Sequence, residues 1–151
     1  LIQKEHRQIL DGACKVFFRK GSHPTTIRDI AKVSGMSMGQ LYHYISSKDD
    51  FLYCVHKYMK NIRHEYLKNS DYEGTKHPVQ KLLRALDQTF KFVSDNRKLI
   101  QFVYSESKSL DRKHLKAVLE MDKQNIINFW QRLLEEVKRD KSIKFDLNFW
   151  G

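Results

Sequence analysis

Apolar side chains recur along this chain at helical spacing, and no stretch alternates in the manner of a strand. Ile2, His6, Ile9, Leu10, Ala13, Val16 and Phe17 share one stripe, which predicts an amphipathic helix over the first twenty residues. Lys20 and Gly21 supply a basic last turn and a glycine stop, and Pro24 blocks continuation. Leu52, Val55, Met59, Ile62 and Tyr66 mark a longer helix from Asp49 to about Leu67, and the polar segment NSDYEGTKHP (69–78) after it is the clearest loop. Val79, Leu82, Leu83, Leu86, Phe90 and Val93 define the next helix. Leu99, Ile100, Phe102, Val103 and Tyr104 make a short helix that is apolar nearly all round and is therefore expected to be buried. Leu115, Val118, Leu119, Ile126, Phe129, Trp130, Leu133 and Val137 run along a long helix over 112–138. The tail KFDLNFWG reads as the start of a further helix. The expected fold is all-α, without internal repeats.

Between the first and second long stripes the sequence marks three helix starts. Thr26 is followed three residues on by Asp29, Ser37 by Gln40, and Ser47 by Asp50. Each pair fits a reciprocal capping box, in which a hydroxyl accepts from a backbone N–H and the later side chain reaches back. Gly35 stands where a left-handed residue would end one helix before the next departs. The expectation is a helix over 27–34, a tight turn, and a helix over 38–44.

Composition narrows the function. The chain has 151 residues, 40% of them hydrophobic, with two prolines and six glycines, enough for a core and poor in breakers. No apolar run approaches the length of a membrane span. LIQKEHRQIL lacks the layout of a signal peptide, and a chain starting at Leu1 is expected to be a processed or partial form of a longer one. Cys14 and Cys54 stand 40 positions apart and are read as apolar fillers. His56 and His64 are too far apart on a helix for joint ligation, so no metal and no cofactor is expected. The formal charge of +10 points to a polyanion, either nucleic acid or an acidic membrane surface. It is densest in residues 1–48, which carry eight Lys/Arg against three Asp/Glu. An enzyme reading lacks a phosphate loop, a nucleophile motif and a metal set. A membrane-surface or partner-binding protein without sequence-specific DNA binding is the alternative, but the amphipathic faces are needed for a core.

Two helices joined by a short glycine turn inside a basic region form the helix-turn-helix pattern. The second helix must enter a major groove roughly 12 Å wide, so its outward side chains need reach and polar ends. Leu41 is the inward anchor, onto Ile27, Ile30 and Ala31. That leaves Ser37, Met38, Gly39, Gln40, Tyr42 and His43 near the groove. Gly39 allows close approach, Gln40 and Tyr42 can reach bases, and Thr26, Ser37, Tyr42 and His43 can bond phosphates. Lys48, in the first turn of the following helix, can attract a phosphate. Gln40 serves either a base or only its cap, His43 either DNA or solvent, and Tyr44 is read as packing between helices.

TTIRDIAKVSGMSMGQLYHYISSKDDFLYCV resembles the DNA-binding domain of the TetR family of bacterial transcriptional regulators, and the likeness covers residues 1–60. It rests on the paired threonines, D-I-A, G-M-S, G-Q-L-Y-H-Y and S-K-D-D-F-L, with Ile45 where phenylalanine is commoner. It implies DNA contacts at the positions of Thr26, Ser37, Met38, Gly39, Gln40, Tyr42, His43 and Lys48. It also implies two domains: a helix-turn-helix DNA-binding unit over 1–47 and a helical-bundle ligand-binding and dimerisation domain over 48–151, incomplete at its C-terminal end. The implied partners are a double-stranded operator, a second copy of the chain and a small-molecule effector, in the cytoplasm and away from any membrane. Dimer candidates are Trp130, Leu133, Leu134, Val137, Phe149 and Trp150. A hydrophobic effector pocket is expected among Tyr58, Ile62, Tyr66, Leu86, Phe90, Val93, Phe102, Val103, Leu119, Ile126 and Trp130, with Phe92, Tyr104 and Met121 nearby. RKLIQFVYSESKSL resembles members that respond to fatty acyl-CoA thioesters, although drugs, bile-type compounds or flavonoids fit equally. The implied function is a ligand-responsive repressor, bound as a dimer to a palindromic operator and released by an inducer.

Overall fold

The computed structural model describes Lys4, Glu5, Gln8, Ile9, Gly12 and residues 26–140. Within residues 26–140 there are seven α-helices and one π-helical turn, and no strand occurs among the described residues. Numbered along this region, they are α1 (Ile27–Ser34), α2 (Met38–Tyr42), α3 (Lys48–Asn69), α4 (Pro78–Asp95), α5 (Arg97–Ser107), α6 (Arg112–Asp122), the π turn (Lys123–Ile127) and α7 (Asn128–Arg139). The five described N-terminal residues are also helical. The rest of the expected first helix, Cys14, and the tail with Phe149 and Trp150 lie outside the described residues. No helix among the described residues is long and apolar enough to cross a membrane.

Local chemistry sets the short elements. Thr26 and Asp29 cap α1 reciprocally, and Ser37 and Gln40 do the same for α2. The third expected box is only half made. Ser47 accepts from the Asp50 N–H at 3.0 Å, but the Asp50 carboxylate turns to the Ser46 N–H at 2.8 Å and to His114. Gly35 ends α1 at φ +66°, a left-handed conformation that a side chain would strain. Gly12 is required for space, because a Cβ there would meet the Ser34 Oγ at 2.6 Å and its Cα at 2.9 Å.

One core runs from the short helices into α3 and α5. Ile9, Ile30, Ala31, Leu41, Ile45, Phe51, Val55, Leu99 and Val103 form a single buried cluster. Packing is therefore continuous across the expected boundary at residues 47 and 48. Helix α3 contacts α4, α5 and α6, and α4 packs on α7. A second cluster (Leu67, Ala85, Phe129, Leu133) fills the space between α3, α4 and α7.

Four expectations are corrected. Helix α2 ends at Tyr42, not at residue 44, with His43 and Tyr44 in a turn. Helix α5 is not buried all round: Leu99 and Val103 face the core, whereas Tyr104 is 69% exposed, because only one side of α5 lies on α3. The expected long helix is interrupted by the π turn. On its two halves Val118, Phe129, Leu133 and Val137 are buried, while Leu115, Leu119 and Ile126 stay exposed. Leu133 and Val137, expected as dimer contacts, are committed to the monomer's interior, and Leu134 is the exposed one.

The start of α3 is tied to α6 through His114. Its Nδ1 lies 2.7 Å from Asp111 Oδ2 and its Nε2 2.8 Å from Asp50 Oδ1. A neutral imidazole has one N–H and could serve only one carboxylate, so both contacts are satisfied by the imidazolium. Asp49 joins them, accepting from the Asp111 N–H at 3.3 Å. Histidine spacing along the chain gives no sign of this cluster, in which ligand atoms of Asp49, Asp111 and His114 lie within 4.8 Å of one another. The hydrogen bond to Asp50 raises the His114 pKa; burial opposes it and Asp111 reinforces it. For Asp50, burial alone would raise the pKa, but hydrogen bonds from His114 and the Ser46 N–H bring it below the usual value. For Asp111 the His114 backbone N–H, then its ring, lowers it.

The sign follows from linkage. The raised His114 pKa gives stability that is complete below the unfolded imidazole value of about 6.5 and is lost as pH rises through the folded value. The lowered carboxylates lose theirs as pH falls through their folded values, below about 4. A His114→Gln variant should show its largest deficit in melting temperature near pH 5–6, and thermal melts across pH should show that deficit shrinking on the alkaline side. A deficit independent of pH would mean that His114 contributes by packing alone.

Candidate nucleic-acid interface

Helix α2, MGQLY, is too short to be stable by itself. Its caps satisfy the first turn: Gln40 N–H donates to Ser37 Oγ at 3.2 Å, and Ser37 N–H donates to Gln40 Oε1 at 2.9 Å. Leu41 is fully buried against the core, and Ile45 just beyond is buried beside it. With the helix fixed at that point, its other side chains are turned out.

Tyr42 is 51% exposed, and Thr26, Ser37, Gly39, Gln40 and His43 are also exposed. Met38 differs: it is half-buried and packs against the core, because the N-terminal turn of α2 leans on its neighbours there. The space around Gly39 is open, with only Ser37 Oγ within 4.0 Å of where a Cβ would stand. Tyr44 packs on the core and donates its hydroxyl to Glu5 Oε2 at 2.6 Å, which raises its pKa. Arg28 and Lys32 are exposed one turn apart on α1 and add basic charge next to this surface. Their i, i+4 spacing is the sequence signal that marks them.

Lys48 is exposed but not free. Its Nζ lies 2.6 Å from Glu106 Oε2 on α5, with the lysine side chain 46% accessible. The separation of 58 residues hides this pairing from the sequence. The first turn of α3 also carries Asp49 and Asp50, so the helix dipole there already has acidic partners.

The residues expected around an effector fall in several surroundings. Val103 belongs to the main core, with Tyr58, Ile62 and Phe102 packed on it. Tyr66 meets Phe92 edge-on at 5.8 Å and donates to Asp95 at 2.8 Å. Leu86 is half-buried, and Trp130 packs on the second cluster. Phe90, Val93, Leu119 and Ile126 are exposed, Phe90 by 71%. A cleft of about 390 Å³ opens between α3, the α3–α4 turn, the π turn and α7, and none of these residues lines it.

Residues 9–53 match the family model described as bacterial regulatory proteins, tetR family. The chain is 33% identical over 112 residues to the HTH-type transcriptional regulator HbdR of Aromatoleum sp. (strain CIB), a match that takes in 73% of this chain and 48% of that protein. Over 45 residues it is 40% identical to the HTH-type transcriptional repressor KstR2 of Rhodococcus jostii (strain RHA1), covering 30% of this chain and 22% of that one. The chain thus spans about half the length, or less, of these curated relatives. The crystal structure of the TetR family transcriptional regulator PfmR from Thermus thermophilus shares the fold, with a TM-score of 0.66 at 23% identity over 91% of this chain and 74% of that one.

Gly39 offers a clean separation of folding from contact with a ligand surface. Because a Cβ would meet only Ser37 Oγ, at 4.0 Å, Gly39→Ala should fold normally and gain up to about 1 kcal/mol from helix propensity. If α2 approaches base edges closely, the same variant should bind DNA at least about tenfold more weakly. Urea unfolding and fluorescence anisotropy on the same samples check both halves, and unchanged DNA affinity would remove Gly39 from the contact surface.

Proposed function

Because the chain belongs, through residues 9–53, to the tetR family of bacterial regulatory proteins, we propose that it is a repressor that binds a palindromic operator as a dimer and responds to a small-molecule effector. The observation that carries this reading is the outward, polar-tipped face of α2, held by the buried Leu41 within the matched segment. The family is one of regulators, in keeping with a chain read as no enzyme, and its place of action would be the cytoplasm, where the DNA is. One relative is named a transcriptional repressor, which favours repression. A hydrophobic or amphipathic inducer, with fatty acyl-CoA in that class, is the effector suggested by the many aromatic side chains of residues 48–151.

The contacts proposed for Thr26, Ser37, Met38, Gly39, Gln40, Tyr42, His43 and Lys48 follow from exposure and chemistry. Met38, being half-buried, would offer only its exposed edge. With its Oε1 held by the Ser37 N–H, Gln40 keeps an amide NH₂ to donate. It would therefore read an acceptor such as guanine O6 or N7, or thymine O4, and a bidentate grip on adenine would need the second lone pair of Oε1. Lys48 would have to exchange Glu106 for a phosphate. Effector binding would act by shifting α3, which reaches from this surface into the larger domain. A coupling of about 1–3 kcal/mol changes operator affinity roughly 5- to 150-fold.

Selection from random duplexes followed by anisotropy titration at several salt concentrations tests the reading. A pseudo-palindromic preference that survives added salt is expected, together with a steep fall in overall affinity. Tyr42→Ala and Lys48→Ala should weaken binding to all sequences, whereas Gln40→Ala should also relax preference at one or two base pairs, by about 1–3 kcal/mol each. Glu106→Gln, which frees Lys48, should tighten binding about two- to fivefold. Salt-sensitive binding with no preferred sequence would refute the operator reading.

A further inference from the structure

We infer that the cleft beside the π turn is a binding site for an organic anion, a carboxylate or phosphate carried on a compact apolar body. Calling that anion the effector rests on the regulator reading; the binding itself does not. The cleft's volume of about 390 Å³ lies within the range of small-molecule sites. Its wall carries Lys60, Arg63, His64 and Arg132 against a single carboxylate, Glu73. That carboxylate already accepts from the Tyr72 hydroxyl at 3.2 Å.

Arg63 is the central group. Burial lowers the pKa of its guanidinium, with Asp122 acting on it electrostatically in the opposite sense. The guanidinium donates to the backbone carbonyl of Asn125, inside the π turn. Among the described residues no ion pair forms at Lys60, Arg63 or Arg132. A guanidinium has five N–H donors in a planar fork suited to a two-oxygen acceptor, and partial burial beside one carbonyl leaves that capacity largely unused. An incoming carboxylate or phosphate would match it, with Lys60 and Arg132 adding charge from either side.

Apolar edges within the same, mostly polar lining would take the rest of the ligand. Leu67 and Phe129 are buried residues of the second cluster whose surfaces also line the cleft. Tyr72 meets Phe129 edge-on at 5.8 Å, and Trp130 lies against Phe129 at 5.0 Å. A small ring or short chain attached to the anion would rest on the edges that these residues leave open. The π turn places Gln124 and Asn125 on the cleft, and Phe129 and Arg132 return to it one and two turns later.

The test needs no DNA, so a failed operator search and a failed anion site are distinguishable. Calorimetry and tryptophan fluorescence on the whole chain would compare 3-phenylpropionate, phenyl phosphate and the neutral 3-phenylpropanol. At least one anion should bind saturably, about tenfold or more tighter than the alcohol and more weakly at high salt. Arg63→Gln should reduce that affinity about tenfold. Arg132→Gln, at an exposed position and with an unchanged circular-dichroism spectrum, should reduce it severalfold, which keeps the inference testable if Arg63→Gln unfolds. Tighter binding of one anion identifies the head group. Absence of saturable binding, equal binding of the alcohol, or affinity indifferent to the arginine substitutions would overturn the inference.

Discussion

Burial of Leu41 is the constraint on which the presented surface depends. A five-residue helix has no stability of its own, so its position is whatever the core dictates. Leu41 enters a cluster that contains not only Ile30 and Ala31 of α1 but also Phe51 and Val55 of α3, and through them Leu99 and Val103 of α5. The side chains around it, from Ser37 to His43, are therefore aimed by residues far along the chain. A surface built to meet a rigid partner has to be held in this way, because rotating α2 by one residue would carry Tyr42 inward and Leu41 into water.

Helix α3 passes this constraint along the molecule. Its first turn carries Lys48 and Asp50, bonded to Glu106 of α5 and His114 of α6. Its second and third turns bury Phe51, Leu52 and Val55, and its later turns hold Arg63 and Leu67 at the cleft. The magnitudes separate two roles. Each buried apolar side chain contributes about 1.5–3 kcal/mol, whereas a partly exposed ion pair contributes about 0–1 kcal/mol. Apolar contacts thus fix where α3 lies, and the charged contacts, being weak and exchangeable, are the ones a phosphate or a change of pH can rearrange. Lys48 can change partners without cost to the core.

Much of this is legible in the sequence. The capping pairs at Thr26 and Ser37, the left-handed Gly35 and the inward Leu41 are local rules acting over three or four residues, and all hold. What fails needs distant neighbours. Asp50 looks like a capping partner for Ser47 until His114, 64 residues later, claims its carboxylate. Tyr104 and Phe90 read as interior because they are large and apolar, yet periodicity shows only that a face exists and not whether another element covers it. Nor can a set of apolar side chains say by itself which of them enclose a space.

The π turn is the sharpest case, because it changes the meaning of the pattern itself. Read with one period throughout, the stripe from Leu115 to Val137 would put Leu119 and Ile126 on the face that carries Leu133. One extra residue per turn rotates the second half of the helix by about 100° relative to the first. Val118, Phe129, Leu133 and Val137 are buried, while Leu119 and Ile126 are turned out. Such a turn is poorer in helical geometry than the α-helix it interrupts, and something must compensate. Part of the compensation is visible: the Asn125 carbonyl accepts from Arg63, and the Asn125 side chain donates to the Met121 carbonyl at 2.6 Å. The irregular backbone and the half-buried cation thus satisfy each other at the edge of the cleft.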